Sequence, residues 1–301
     1  MNPLYIGVLY VFLSAAGFGV MSILAHYAYD DGAAVPTVLF LRFLLASGLF
    51  FLLLLVKRER LFVTRRQVAA LFFLGGVLYT LQSLSFFSAV MYIPPSLAAL
   101  LLYTFPVFVA ILSYFVDKER LSKQTVMAML LSLAGLTMVL GTSFASIRPL
   151  GILLALSAAL FYSVYIVTGN RVVKGLSPYV TSAYISLFAT VSTFFVAQGS
   201  GGVQLDFGAQ GWLAIGGIVL FSTVMAIAFF FRGLQLIGST QASVLSMLEP
   251  VVTIAFSAVL FGESLTWLQF AGGAAVLLGA VLIVSGREKK AEHPSVTQTT
   301  L

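Results

Sequence analysis

A chain of 301 residues in which 60% are hydrophobic and 9% are charged has too little polar surface to cover a water-soluble globule, so its solvent is lipid. The formal net charge of +6 does not point to nucleic acid, because the basic residues fall in short gaps between apolar runs, where membrane orientation accounts for them. The lack of cysteine removes disulfides and thiol chemistry.

Apolar runs bounded by charges, Gly or Pro predict ten spans, at 4–27, 36–56, 67–90, 96–116, 124–141, 150–169, 179–197, 211–234, 240–261 and 266–285. Hydrocarbon offers no partner to backbone N–H and C=O groups, which leaves helices or a closed barrel. Barrel strands alternate apolar and polar residues, whereas Phe50 to Val56 and Val276 to Val284 are apolar throughout. The predicted fold class is therefore an all-α membrane protein of ten transmembrane helices.

Span one has no basic residue ahead of it and exceeds a signal-peptide core, so it reads as retained structure. It offers Ser14, Gly17, Phe18, Met21 and Ser22 to a bundle interior, with His26 at its outer interface. In span two, Arg42 lies six residues past Pro36, about 9 Å into the membrane. It could bind a substrate carboxylate, pair with Glu249 in one state, or snorkel outward on its long stem.

Span three carries Tyr79, Gln82, Ser83 and Phe86 at helical spacing on one face, and a polar face in lipid turns inward. Span four holds Tyr103 and Pro106, and span six Ser157, Phe161, Tyr165 and Thr168. Aromatic walls with a few hydroxyl and amide groups suit a small amphipathic solute, although small and hydroxyl residues also mediate ordinary helix packing. Arg232, near the inner end of span eight, reads as a topology anchor.

Glu249 in span nine lies nine positions past Thr240, about 13 Å along the helix and near the middle of the hydrocarbon. A carboxylate there must be protonated, paired or facing a wet cavity, either for coupling and substrate binding or as a neutral group bonded to backbone beside a proline. Pro106 and Pro250 lack an amide hydrogen and free the carbonyls of Leu102 and Ser246, which predicts a break in spans four and nine. Such breaks serve conformational switching or a fixed bend. Gly75-Gly76, Gly216-Gly217 and Gly272-Gly273 permit close helix approach.

With the N-terminus in the cytoplasm, fourteen of the sixteen Lys and Arg residues lie inside and only Arg148 lies outside, so both termini of this multi-pass membrane protein are expected in the cytoplasm. Metal-ligand clusters and phosphate-cradling loops are lacking, and no cofactor is expected.

The stretch Met91 to Gly141 aligns without a gap on Gln235 to Ser285, placing Pro106 on Pro250, Ser113 on Ser257, Glu119 on Glu263 and Gly135 on Gly279. Gly7 falls on Gly151 at the same 144-residue shift. The chain thus divides into repeats at 1–142 and 148–287, with 288–301 an expected mobile cytoplasmic tail. Each repeat has five spans, so the second is inverted relative to the first.

The string Ser243-Val244-Leu245-Ser246-Met247-Leu248-Glu249-Pro250, followed by Gly262-Glu263, Leu265-Thr266, Gln269, Gly272-Gly273 and Gly279, resembles the EamA family of the drug/metabolite transporter (DMT) superfamily. The first half is similar through Arg42-Phe43 and through Ser96 to Pro106, but it has Lys118-Glu119 where relatives usually have Gly-Glu, and Phe105 where the second copy has Glu249. The resemblance implies a ten-helix inner-membrane carrier, often an exporter of amino acids or related metabolites.

The expected function is a secondary transporter working by alternating access, its cavity lined mainly by spans one, three, four, six, eight and nine. Its partners would be the bilayer, a small-molecule substrate and, through Glu249, protons, with oligomeric state open. An alternative is efflux of lipophilic cationic drugs, and from another class a structural or receptor membrane protein. An intramembrane enzyme would need a nucleophile and base or paired aspartates, and Glu249 is the only acidic residue inside the predicted spans.

Overall fold

The computed structural model describes residues 2–59, 62–93, 95–119, 121–141, 148–261 and 264–292. Arg60, Arg120, Gly262, Glu263 and the chain from His293 onward lie outside the described residues. Ten helices are long and apolar enough to cross a membrane: Pro3–Asp30, Val35–Val56, Arg65–Phe86, Leu97–Asp117, Lys123–Leu140, Pro149–Val173, Pro178–Gly199, Ala209–Ile237, Ser239–Leu260 and Trp267–Ser285. They correspond one to one with the ten apolar runs, and the described residues contain no strand. The last helix continues to Glu292, five residues into the stretch read as tail.

Local chemistry sets the helix starts. Asn2 accepts the Leu4 N–H at 3.0 Å ahead of Pro3, Thr64 and Gln67 form a reciprocal capping box, and Ser122 accepts the Thr125 N–H at 3.0 Å. Pro36, Pro149 and Pro178 occupy first turns, where the missing N–H costs nothing. Spans eight and nine meet at Gly238, whose φ of +82° is open to glycine.

Four spans are irregular. Span four stops at Leu102 and resumes at Phe105, and span nine stops at Ser246 and resumes at Glu249. Spans three and eight contain π-helical segments, Phe73–Tyr79 and Ile218–Met225, which apolar periodicity does not reveal. The first of these is braced by span seven: Gly75 abuts the Ile185 backbone, and Ser192 donates to the Gly76 carbonyl at 2.8 Å.

The repeat is visible in the packing. Gly7 in span one meets Leu236 and Ile237 at the end of span eight, and its equivalent Gly151 in span six meets Tyr92 and Ile93, the equivalents of those residues, just past span three. Spans five and ten cross at paired small residues: a Cβ added at Gly135 would stand 2.6 Å from the Gly272 carbonyl oxygen, and one at Gly279 would stand 2.8 Å from the Ala128 carbonyl oxygen. Spans one with eight, three with six, two with seven and five with ten therefore form the main pairs of two inverted five-helix units.

The face at which span one begins is closed. There the second half of span four packs on the first half of span nine, with Ser113 and Ser239 hydroxyls 2.8 Å apart and buried. Thr240 donates to Glu119 at 2.9 Å, and Arg171 of span six forms a 3.1 Å ion pair with Asp117. Among the described residues, the repeat-related halves at the opposite face, Pro95–Leu102 and Glu249–Phe261, are not a closely packed pair.

Candidate functional site

The breaks in spans four and nine border a cavity of about 360 Å³ in the middle of the bundle. Of the residues singled out in the sequence, Phe18, Met21, Ser22, Arg42, Tyr79, Gln82, Ser83, Phe86, Tyr103, Tyr165, Glu249 and Pro250 line it. Pro106 does not. It is buried behind the wall, while the break before it presents Leu102, Tyr103 and Phe105.

Phe161 also lies outside the cavity and packs against the hydrophobic core. Its neighbour Tyr162 takes the lining position, because about 100° of rotation separates successive helical residues and the packing of span six on spans three and four selects the Tyr162 face. Tyr162 and Tyr165 stack at 6.0 Å, Tyr162 meets Phe105 at 4.7 Å, and Tyr165 meets Tyr79 at 6.1 Å. The result is a continuous aromatic wall across spans four, six and three.

The lining also includes spans two and five, through Leu39, Arg42 and Leu140, besides the six expected. Ala99, Ile227, Phe230, Thr253 and Ile254 complete it. Thr253 donates to the Gly19 carbonyl at 2.9 Å, and a Cβ at Gly19 would stand 2.9 Å from the Glu249 carbonyl oxygen, so span one lies directly against the break in span nine.

Two charged groups give the cavity poles. Arg42 is 3% exposed, so its side chain does not snorkel outward. Its Nη2 donates to the Tyr79 hydroxyl at 2.6 Å, its Nη1 to the Met21 sulfur at 2.8 Å, and the guanidinium carbon sits 4.4 Å from the Phe43 ring centre. Glu249 is half-buried, with the Tyr103 hydroxyl as its side-chain hydrogen-bond partner. Arg42 acts on Glu249 electrostatically, yet no ion pair joins them among the described residues. A cavity with a buried cation, a carboxyl group and aromatic walls can hold a small amphipathic solute and fix its orientation.

The EamA-like transporter family model matches residues 5–141 and 149–285, nearly the whole chain in two units. This chain belongs to that family. An uncharacterized transporter of Archaeoglobus fulgidus is 29% identical over 202 residues, 66% of this chain and 70% of its own length. The uncharacterized transporter YcbK of Bacillus subtilis is 24% identical over 294 residues, covering 94% of this chain and 92% of that protein. A probable amino-acid metabolite efflux pump of Salmonella typhimurium is 27% identical over 257 residues, 81% of this chain and 86% of that one. A crystal structure matches with a TM-score of 0.80 at 22% identity, over 92% of this chain and 97% of the other, which establishes the shared fold. The protein is a multi-pass membrane transporter of the EamA type.

Proposed function

We propose that this EamA protein is a secondary transporter that exports a small metabolite such as an amino acid by alternating access. The observation that carries the reading is the cavity bounded by two interrupted helices at repeat-related positions, with the half-helices packed together at the face where span one begins. By the positive-inside rule that closed face is cytoplasmic, so the access still to be gained in this conformation is from the cytoplasm. Exchanging the packed halves between the two faces would expose the same cavity to the cytoplasm.

Glu249 is the candidate coupling group, since a carboxyl group that faces a cavity and bonds a tyrosine can take up or release a proton as access alternates. The similarity to an amino-acid metabolite efflux pump supports the substrate class. Efflux of lipophilic cations is a second reading, favoured by the aromatic wall beside Glu249. Liposomes containing the purified protein distinguish them: saturable exchange of a labelled amino acid supports the first, and flux of lipophilic cations alone supports the second.

A further inference from the structure

Arg42 is a buried charge that the described residues leave short of partners. A guanidinium has five N–H donors, and here two contacts are made, one to the Tyr79 hydroxyl and one to a thioether, which is a weak acceptor. The Nε–H is buried and has no acceptor among the described residues. A cation so deeply buried keeps its charge only at high desolvation cost, and normally its remaining donors are paired with an anion or with carbonyls. Glu249, the acidic residue lining the same cavity, forms no ion pair with it, and its hydrogen-bond partner is Tyr103.

The surroundings hold the guanidinium in place. Phe43 packs against one side of it, and the Phe43 and Tyr79 rings meet edge to face at 5.0 Å, so the cation and its hydroxyl partner are fixed relative to each other. Met21 is different in kind. It is an unbranched, flexible side chain that lines the cavity and occupies Nη1 with a weak bond, so an oxygen anion entering the cavity could take its place at little cost.

We propose that Arg42 is the docking point for a carboxylate carried by the transported solute, with Tyr79 orienting the guanidinium and Met21 as the group that yields. This rests on the transport reading and narrows it: the solute is an amphipathic carboxylate whose apolar body lies along the Tyr79–Tyr165–Tyr162 wall. A carboxylate taking the place of the Met21 sulfur would accept a charge-assisted bond from Nη1, stronger than the thioether contact it replaces. A solute that is only a cation would instead meet a like charge at this end of the cavity.

The test uses the full-length protein in lipid nanodiscs and three probes of similar shape: L-phenylalanine, 3-phenylpropanoate, which lacks the ammonium group, and 2-phenylethylamine, which lacks the carboxylate. Both carboxylates bind the unaltered protein. Arg42→Gln weakens both by about tenfold or more, the size expected for losing a charge-assisted bond, and does not weaken the amine, which is relieved of a like charge. Because Arg42→Gln could impair folding, Met21→Leu is the second variant: it removes only the competing sulfur and tightens carboxylate binding. The proposal is overturned if neither carboxylate binds, if the amine binds as tightly as L-phenylalanine, or if Arg42→Gln retains carboxylate affinity. Loss of carboxylate binding in Glu249→Gln alone would also overturn it. Carboxylate binding without carrier-mediated flux in liposomes would leave the docking site standing and contradict the transport reading.

Discussion

Phe105 and Glu249 stand at the same position in the two repeats, 144 residues apart, and both line the one cavity. Each is the first residue of a resumed half-helix, immediately before a proline. The inverted architecture therefore presents two equivalent positions to the solute, one apolar and one acidic. If Glu249 couples protons, Glu249→Gln abolishes the pH dependence of flux while folded protein remains in the membrane. Flux measured between pH 5.5 and 8 in paired proteoliposomes checks this, and an unchanged pH profile would confine Glu249 to a structural part.

The breaks before Pro106 and Pro250 leave the Leu102 and Ser246 carbonyls without their usual helical donors. Alanine at either site restores a donor and allows the helix to continue. Pro106→Ala and Pro250→Ala are expected to slow exchange more than they weaken binding, read as a fall in turnover with a nearly constant Kd. Normal turnover in both variants would make the breaks static bends.

Closure of the face where span one begins depends on few polar contacts. Arg171 bonds both the Asp117 carboxylate and the Val116 carbonyl, and Thr240 reaches Glu119 just past the end of span four. Arg171→Gln is expected to raise the population open at that face. The protein has no cysteine, so Ser246→Cys, buried just before the break in span nine, gives a clean single-site reporter. Maleimide labelling from that face should speed up in the Arg171→Gln background, and an unchanged rate would show that the ion pair does not govern closure.

Spans five and ten depend on close backbone approach. Gly135→Val would drive a side chain into the Gly272 carbonyl and Ala275, at a cost of about 1–3 kcal/mol. Gly48 in span two has open space where its Cβ would be, so Gly48→Ala should be neutral or slightly stabilising. Thermal unfolding of the two variants in detergent measures the contrast.

The spans were legible because apolar length alone specifies a membrane helix, and the repeat because Pro, Glu and Gly recur at one shift. Much of the lining could be anticipated where polar residues keep helical spacing, as from Tyr79 to Phe86. Leu39 and Leu140 could not, since nothing distinguishes an apolar residue facing a cavity from one facing lipid. Tyr162 was missed for Phe161 because tertiary packing, not pattern, decides between adjacent faces. The π segments were hidden for a related reason: an extra residue in a turn changes the register without changing composition, and its bracing, such as Ser192 on Gly76, comes from a distant span.

The most direct test of the transport account is counterflow in proteoliposomes preloaded with an unlabelled amino acid, with the labelled compound supplied outside, for the unaltered protein and Glu249→Gln. The account predicts saturable, transient accumulation of label above equilibrium, responding to pH in the unaltered protein only. Uptake that rises linearly with concentration, or none for any amino acid, would contradict it.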